Sequence, residues 1–283
     1  MPLPGLNVFS YGFHFEESVR AVVATAGLRS GGQLVARVAE VLPQPAAATR
    51  TRLAQKLVQR YFPVDDLDSP FLQLVRGLAQ SPVRRELLYW QLTKTDQLVG
   101  ALARGLFHPH FVERQPPSGL TDDEFRVQNG GALLPVRPVI VARFAESYAA
   151  RIWNFAHPAV VQRALHILEE AGLVRKRRLT ELRGHPLGYE VALRELALPT
   201  FLYCLHDEFA ATRGRPIALR RLHRSRFART FVLWPEQVNQ FAAAAARHRF
   251  LELRRSRTSA SVRLTYFNLE KLVGAVLVRF GSS

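Results

Sequence analysis

The residues with the clearest chemistry in this sequence are arginines, because a guanidinium group donates paired hydrogen bonds to phosphate oxygens and to guanine. Thirteen arginines lie within residues 213–263 beside only two acids, Glu236 and Glu252, which gives this stretch a net charge of +11 in a chain of +16. The thirteen are Arg213, Arg215, Arg220, Arg221, Arg224, Arg226, Arg229, Arg247, Arg249, Arg254, Arg255, Arg257 and Arg263. Such a concentration of positive charge attracts a polyanion and makes its binding depend on salt. The stretch therefore predicts a nucleic-acid-binding surface.

Lysine is rare in the chain and occurs only at Lys56, Lys94, Lys176 and Lys271. Arginine suits phosphate and guanine contacts better than lysine does. A GC-rich genome also enriches a chain in arginine and alanine, so the preference has two explanations. The prediction therefore depends on where the arginines cluster and not on their identity.

Other polar groups could suggest catalysis or a metal, but their spacing argues against both. His206–Glu208 contains His-x-Glu without the paired cysteines that a deaminase zinc site requires. His108–His110 offers two imidazoles without helical ligand spacing, and the acids of Asp65–Asp68 are explained by a turn before Ser69. The sequence has no phosphate-binding glycine loop and no nucleophile elbow. We expect a protein that is not an enzyme and that holds neither a cofactor nor a metal.

Composition indicates a globular chain with a sizeable core. Its 283 residues are 48% hydrophobic, enough for two or three small domains. No apolar run approaches the roughly 18 residues that span a bilayer, and the first residues lack a signal-peptide pattern. The single cysteine, Cys204, excludes an internal disulfide and a cysteine-built zinc site. We expect a cytoplasmic protein without a membrane partner.

The first domain, residues 1–115, is predicted to be a helical bundle. Apolar residues recur at three- and four-residue spacing, with glycine and proline between the segments. Ser69 and Ser81 each precede a proline, as at the start of a helix. The five predicted helices cover Phe15–Ala26, Gln33–Val41, Ala46–Tyr61, Pro70 to about Ala79, and a long segment from Ser81 through Leu106.

The third of these helices carries secondary candidates for ligand contact. They are Arg50, Arg52, Lys56 and Arg60, and several of them share a face. A solvated polar face opposite Leu53, Leu57 and Val58 explains them without a ligand. Both interpretations stay open on the sequence alone.

The second domain, residues 116–200, follows a proline-containing linker near Glu113–Gly119. Helices are predicted over Val139–Trp153 and His157–Ala171. A strand at Leu173–Val174, a basic turn at Arg175, Lys176, Arg177 and Arg178, and a strand at Gly188–Leu193 come next. This order is typical of a winged helix. The four basic residues are candidate DNA contacts, although Glu169, Glu170 and Glu181 neutralise part of their charge.

The third domain, residues 201–283, repeats the winged-helix-like order. A short basic helix is predicted from Pro216 to about Ser225 and a second helix over Pro235–Arg247. Strands follow at Phe250–Arg255 and Ser261–Tyr266, and a helix at Leu269–Phe280 closes the chain. The fold class is therefore mainly α, with an N-terminal helical bundle followed by modules that each combine a helix-turn-helix with a β-hairpin.

The helix-turn-helix geometry assigns roles to the polar residues of the third domain, because the second helix reads base edges while the hairpin and flanking segments contact the backbone. Candidates for adenine edges are Gln237, Asn239 and Gln240. Candidates at the hairpin tip, the wing, are Arg254, Arg255 and Arg257, for which a merely solvated tip is the alternative. Candidates for phosphate contacts before the second helix are Arg220, Arg221, Arg224, Arg226 and Arg229.

Four segments together resemble the BrxA family of BREX bacteriophage-resistance systems. They read FHFEESVRAVVATAGL, AAATRTRLAQKLVQRYF, LLYWQLTKTDQLVGALARGLF and VVQRALHILEEAGLV. The resemblance covers most of residues 13–270 and rests on the order of the elements, without a catalytic motif. It implies a small, mostly helical, non-enzymatic cytoplasmic protein of a bacterial defence island that binds double-stranded DNA, with other BREX proteins as possible partners. An RNA-binding helical factor and a protein-docking scaffold of a defence complex are the alternatives.

Overall fold

The chain is mainly helical and carries two small antiparallel sheets. The structure is a computed structural model that describes residues 12–28, 30–62, 66–113, 136–152, 158–178, 187–192, 196–212, 214–256 and 259–281. For Arg177 and Arg178 it describes the backbone only. No helix in these ranges is long and apolar enough to cross a membrane.

The helices before Asp96 pack through apolar faces, as their spacing predicts. They are α1 (Phe15–Ala24), α2 (Leu34–Glu40), α3 (Ala47–Tyr61), α4 (Pro70–Gly77) and α5 (Ser81–Thr95). The short helix α6 (Gln97–Ala101) follows. Ser69 caps α4, since its hydroxyl accepts a hydrogen bond from the Leu72 N–H at 3.5 Å. Trp90 of α5 and Tyr61 of α3 are among the largest fully buried side chains.

The end of α5 differs from the prediction of one helix through Leu106. The helix stops at Thr95, and Asp96 begins a new one by accepting a hydrogen bond from the Val99 N–H at 3.1 Å. Beyond α6 the chain continues in π-helical turns over Leu102–Phe107 and Pro109–Glu113. Glu113 therefore belongs to a helical segment, and the rest of the predicted linker lies outside the described residues.

The first module follows. It contains α7 (Pro138–Ile152), α8 (Pro158–Glu170), β1 (Val174–Arg178) and β2 (Leu187–Val191). Its two strands pair antiparallel with Val174 opposite Val191. Val136, just before α7, forms a bridge to Tyr189 on the other side of β2. The run Arg175–Arg178, predicted as a turn, is thus β1 itself.

The second module also has helices followed by two antiparallel strands, with a further helix and a short strand before them and one helix more among them. It contains α9 (Leu198–Phe209), β3 (Ile217–Ala218), α10 (Leu219–His223), α11 (Arg226–Thr230), α12 (Pro235–Arg247), β4 (Leu251–Arg255) and β5 (Ala260–Leu264), followed by α13 (Leu269–Phe280). β5 lies between β3 and β4 in an antiparallel sheet. The segment predicted as one helix from Pro216 to Ser225 therefore begins as a strand.

The chain packs into two compact units, each built from segments that are distant in sequence. One draws on Asp96–Glu195 and Ala228–Trp234, and contains the first module. The other draws on Phe13–Thr95, Leu196–Phe227 and Pro235–Ser283, and contains most of the second module. The three sequential domains at residues 1–115, 116–200 and 201–283 stay a prediction.

Candidate nucleic-acid interface

The short helix α10 presents the densest group of exposed arginines. Arg220, Arg221 and Arg224 lie on or directly after it and are all exposed. The apolar residues Leu219 and Leu222 anchor the helix in the core. The Arg221 guanidinium lies 5.4 Å from the centroid of the Phe209 ring, a cation–π distance that leaves its N–H groups available. This helix can therefore present three guanidinium groups to an anion.

The longer helix α12 presents a polar face of mixed exposure. Gln240 is exposed and Gln237 is half-buried. Asn239 has an internal partner, since its Oδ1 lies 2.9 Å from His223 Nε2. Asn239 thus ties α12 to α10, whereas Gln240 points to solvent.

The hairpin of β4 and β5 carries further cations on its exposed side. Arg254 and Arg255 are exposed, and Arg254 pairs with Glu252 at 3.1 Å on the same strand face. Such an exposed pair contributes little stability and is easily exchanged for another anion. Ser256 and Ser259 close the turn through backbone and hydroxyl hydrogen bonds. Arg257 lies outside the described residues.

Arg226 begins α11 and has internal partners. Its Nη2 donates to the Thr93 carbonyl at 3.2 Å, and its guanidinium lies 5.5 Å from the centroid of the Trp90 ring. The carboxylate of Glu208 caps the same helix by accepting from the N–H groups of Arg226 and Phe227. These contacts fix the start of α11 against α5 and α9.

The side chains of His206–Glu208 have structural partners in the interior. Asp207 accepts from Trp90 Nε1 at 2.9 Å and lies 2.6 Å from Lys94 Nζ. His206 is buried, and its Nδ1 lies 2.9 Å from the Leu202 carbonyl. Burial lowers the pKa of His206 to about 4, so the ring is neutral at pH 7.

Arg229 has an internal partner in the unit that contains the π-helical turns. Its Nη2 lies 2.8 Å from Glu113 Oε1, and the ring of His108 lies 3.6 Å from the same oxygen. Burial lowers the pKa of His108 to about 4, so this histidine is uncharged at pH 7 and, of these two neighbours, Arg229 carries the charge that balances Glu113.

The basic strand β1 of the first module is partly neutralised by acids. Arg175 pairs with Glu190 on β2, directly opposite in the register. Lys176 lies 3.3 Å from Glu169 and 6.0 Å from the centroid of the Tyr189 ring. Both cations remain exposed.

The secondary candidates on α3 have different environments. Arg50 donates to the carbonyls of Gln44 and Pro45, and Arg52 is exposed. Partial burial and the nearby charge of Arg60 lower the pKa of Lys56. Arg60 itself is only 2% exposed and belongs to the interior.

Three further exposed arginines, Arg247, Arg249 and Arg279, lie outside the predicted set of DNA contacts. The first two belong to the arginine-rich stretch, but neither falls on a predicted recognition helix face or hairpin tip. The sequence signal that could have marked Arg249 is its position directly after a helix, where glycine is common.

Potential metal ligands do not gather at one place in the described ranges. These ranges contain no cluster of three or more His, Cys, Asp or Glu side chains placed to hold a metal ion.

The fold is shared with solved structures of SspB. One SspB crystal structure superposes with a TM-score of 0.59 at 11% identity, covering 99% of this chain and 88% of that one. A magnesium-ion-bound SspB structure gives a TM-score of 0.52 at 12% identity, covering 98% and 90%. No protein-family model matches the chain, and no curated protein matches it in sequence. At these identities the likeness concerns the fold alone.

Proposed function

We propose that this protein binds double-stranded DNA through its second module, as a non-enzymatic accessory protein of a bacterial anti-phage defence system of the BREX type. One observation carries the proposal. Arg220, Arg224 and Arg255 are exposed on α10 and the hairpin, and no ion pair within the described part of the chain neutralises them. Uncompensated arginines on one module repel each other unless an anion is present.

The connectivity of the second module supports this mode of binding. A short strand, a helix-turn-helix and a hairpin, with the last strand in the centre of the sheet, is the order of a winged helix. In that geometry α12 enters the major groove with Gln240 toward base edges, α10 contacts phosphates, and the tip near Arg255 contacts the backbone. In the polyalanine run, Ala243, Ala244 and Ala246 are half-buried and leave room for close approach, while Ala242 and Ala245 pack in the core.

The sequence resemblance to BrxA supports the assignment to phage defence and to a protein without catalytic activity. Other defence proteins are then the expected partners besides DNA, and the cytoplasm is the expected compartment. An RNA-binding role and a protein-docking role are the competing proposals, since each also uses a basic surface.

The proposal is tested by measuring the affinity for a labelled duplex over a salt series. We expect a submicromolar dissociation constant at low salt. The logarithm of the association constant should fall linearly with the logarithm of the salt concentration. Changing Arg254, Arg255 and Arg257 to Ala should make the slope shallower by about 0.9 for each phosphate that is no longer neutralised. Structured RNA added as a competitor should displace the duplex poorly.

A charge-matched variant with Arg20, Arg37 and Lys271 changed to Ala distinguishes an effect of the binding site from an effect of the net charge of the protein. It removes the same three charges from exposed positions outside the second module's helix-turn-helix and hairpin. This variant should keep most of the wild-type slope. An equal reduction of the salt slope in both variants would mean that duplex binding depends on net charge alone. Undetectable duplex binding by the wild type at low salt would favour an RNA or protein partner.

A further inference from the structure

A groove of about 450 Å³ lies at the base of the second module, where α12 ends and β4 begins. Arg247, Arg249 and Arg279 line it from the end of α12 and from α13. The half-buried Tyr266 forms an aromatic wall, backed by the buried Phe250 with ring centroids 5.9 Å apart. A volume of this size suits a small organic ligand.

The backbone at Arg249 is strained in a way that places its side chain in this groove. Its φ is 61°, and it follows α12 as the left-handed residue of a Schellman cap, in which the Phe250 N–H bonds the Ala245 carbonyl at 3.0 Å. At the corresponding position of the first module, after α8, stands Gly172 with a φ of 72°. Glycine adopts this conformation freely, while arginine does so at a cost in stability. A charged side chain is kept here where the local backbone favours glycine.

Gly274 is a second residue of the groove that is of an unfavourable type for its position, here the interior of a helix. It lies in the middle of α13, is exposed, and an added Cβ there would meet no atom within 4 Å. Glycine inside a helix is less stable than alanine. The missing side chain leaves the groove open beside Arg279. Residues that do not suit their local backbone are expected at functional positions.

The charges around the groove favour an anion. None of the lining residues is an acid. Within the ranges that the structure describes, no ion pair involves Arg247, Arg249 or Arg279. Glu270 lies one helical turn before Gly274 but does not line the groove. Three guanidinium groups beside aromatic rings match a phosphate attached to a planar base.

We propose that this groove binds a nucleoside monophosphate group, with the arginines on the phosphate and the aromatic wall beside the base. The site is separate from the proposed duplex surface. Gln240 lies seven residues, about 10 Å, before Arg247 along α12, and the length of β4 puts about 14 Å between the groove and the hairpin tip. A free nucleotide and the phosphorylated end of a DNA strand share this chemistry.

Calorimetric titration of the full chain tests the site with adenosine 5′-monophosphate, adenosine, inorganic phosphate, and a short single-stranded oligonucleotide with and without a 5′-phosphate. We expect saturable binding of the monophosphate, weaker binding of inorganic phosphate, and weaker binding of adenosine. A 5′-phosphorylated oligonucleotide that binds more tightly than the free nucleotide identifies a strand end as the source. No binding of either phosphorylated ligand overturns the proposal, and inorganic phosphate binding as tightly as the nucleotide overturns the role of the base.

Two variants test the residues of the groove and are expected to leave the fold intact. Arg249→Gly should weaken nucleotide binding by about tenfold or more, because a charge-assisted hydrogen bond is lost. Its Tm should not fall, because glycine relieves the backbone. Gly274→Leu should block the groove with an undiminished Tm. Unchanged nucleotide affinity in both variants overturns the site.

Duplex affinity distinguishes this proposal from the proposed function. Arg249→Gly should keep its duplex affinity at physiological salt, whereas Arg255→Ala should lose duplex affinity and keep nucleotide binding. Parallel losses of nucleotide and duplex binding in both variants would show one continuous surface and overturn a separate site.

Discussion

At the scale of single residues, the buried His206 and His108 are both uncharged at pH 7 in the folded chain. His206 is 1% exposed, and its Nδ1 faces the Leu202 carbonyl. That contact fits the neutral ring with its proton on Nδ1. A second proton would place a charge among apolar side chains, and this is why burial lowers its pKa to about 4 from 6.5.

His206 should therefore make stability depend on pH in one direction. Between pH 6.5 and pH 4 the unfolded chain binds a proton at His206 that the folded chain does not, so stability falls as the pH falls. From pH 7.5 to pH 5 this lowers the free energy of unfolding by about 2 kcal/mol. Urea unfolding at the two pH values measures the change.

His206→Gln provides the control for this prediction. Glutamine can still donate to the Leu202 carbonyl and does not titrate, so the variant should lose about 2 kcal/mol less than the wild type between the two pH values. His108, whose pKa is also lowered to about 4, contributes equally to both proteins and cancels in the comparison. Identical pH dependence in the two proteins would contradict a neutral buried His206.

At the scale of elements, local signals predicted some boundaries well and missed others. The sequence predicts α12 and α13 with the bounds that the structure shows, because Pro235 starts one and Asn268 caps the other. It misses the break at Asp96, because the apolar periodicity continues across it. It also misses β1, because the strand character of Arg175–Arg178 comes from pairing with β2 and not from its own composition.

The entry to β3 depends on one close approach between elements. Gly214 has a φ of 77°, and a Cβ added there would lie 2.4 Å from Cε1 of Phe267, which is itself 55% exposed. The Gly214 carbonyl accepts from Arg263 Nε at 3.0 Å. Phe267 thus covers a backbone turn, although its exposure alone would suggest a partner-binding residue.

Gly214→Ala should destabilise the protein by about 1–2 kcal/mol, since it adds backbone strain and displaces the Phe267 ring. Thermal or urea unfolding measures the loss. In a Phe267→Ala background the same change should cost only the backbone part, about 1 kcal/mol. Additive effects of the two substitutions would show that the ring does not pack on this turn.

At the scale of the whole molecule, charge density in the sequence predicts a surface for anions but not which of its arginines are exposed and unpaired. The sequence locates the excess within residues 213–263, and the structure presents Arg220, Arg224 and Arg255 there as exposed. Arg226 and Arg229 belong to the same stretch, but their partners Thr93 and Glu113 lie 133 and 116 residues away in sequence. Partners so distant leave no local pattern, so sequence reasoning could not separate these two arginines from the others.

The first module shares with the second the order of helices followed by two antiparallel strands but differs from it in charge. Its strand β1 carries Arg175 and Lys176, which face Glu190 and Glu169. On the corresponding strand β4, Arg254 pairs with one acid of the same strand, Glu252. We infer that the two acids reduce the contribution of the first module to binding DNA, because they compete with phosphates for its cations.

Replacing both acids should therefore increase DNA affinity. Glu169→Gln together with Glu190→Gln removes two negative charges from half-buried side chains and keeps their shape. We expect duplex affinity to rise about three- to tenfold at low salt, and the salt slope to steepen by up to about 2. Replacing Glu16 and Glu40 of the N-terminal helices with Gln makes the same change in net charge elsewhere and should raise affinity less. Unchanged affinity and slope in the first variant would mean that bound DNA does not reach β1, and that duplex binding belongs to the second module alone.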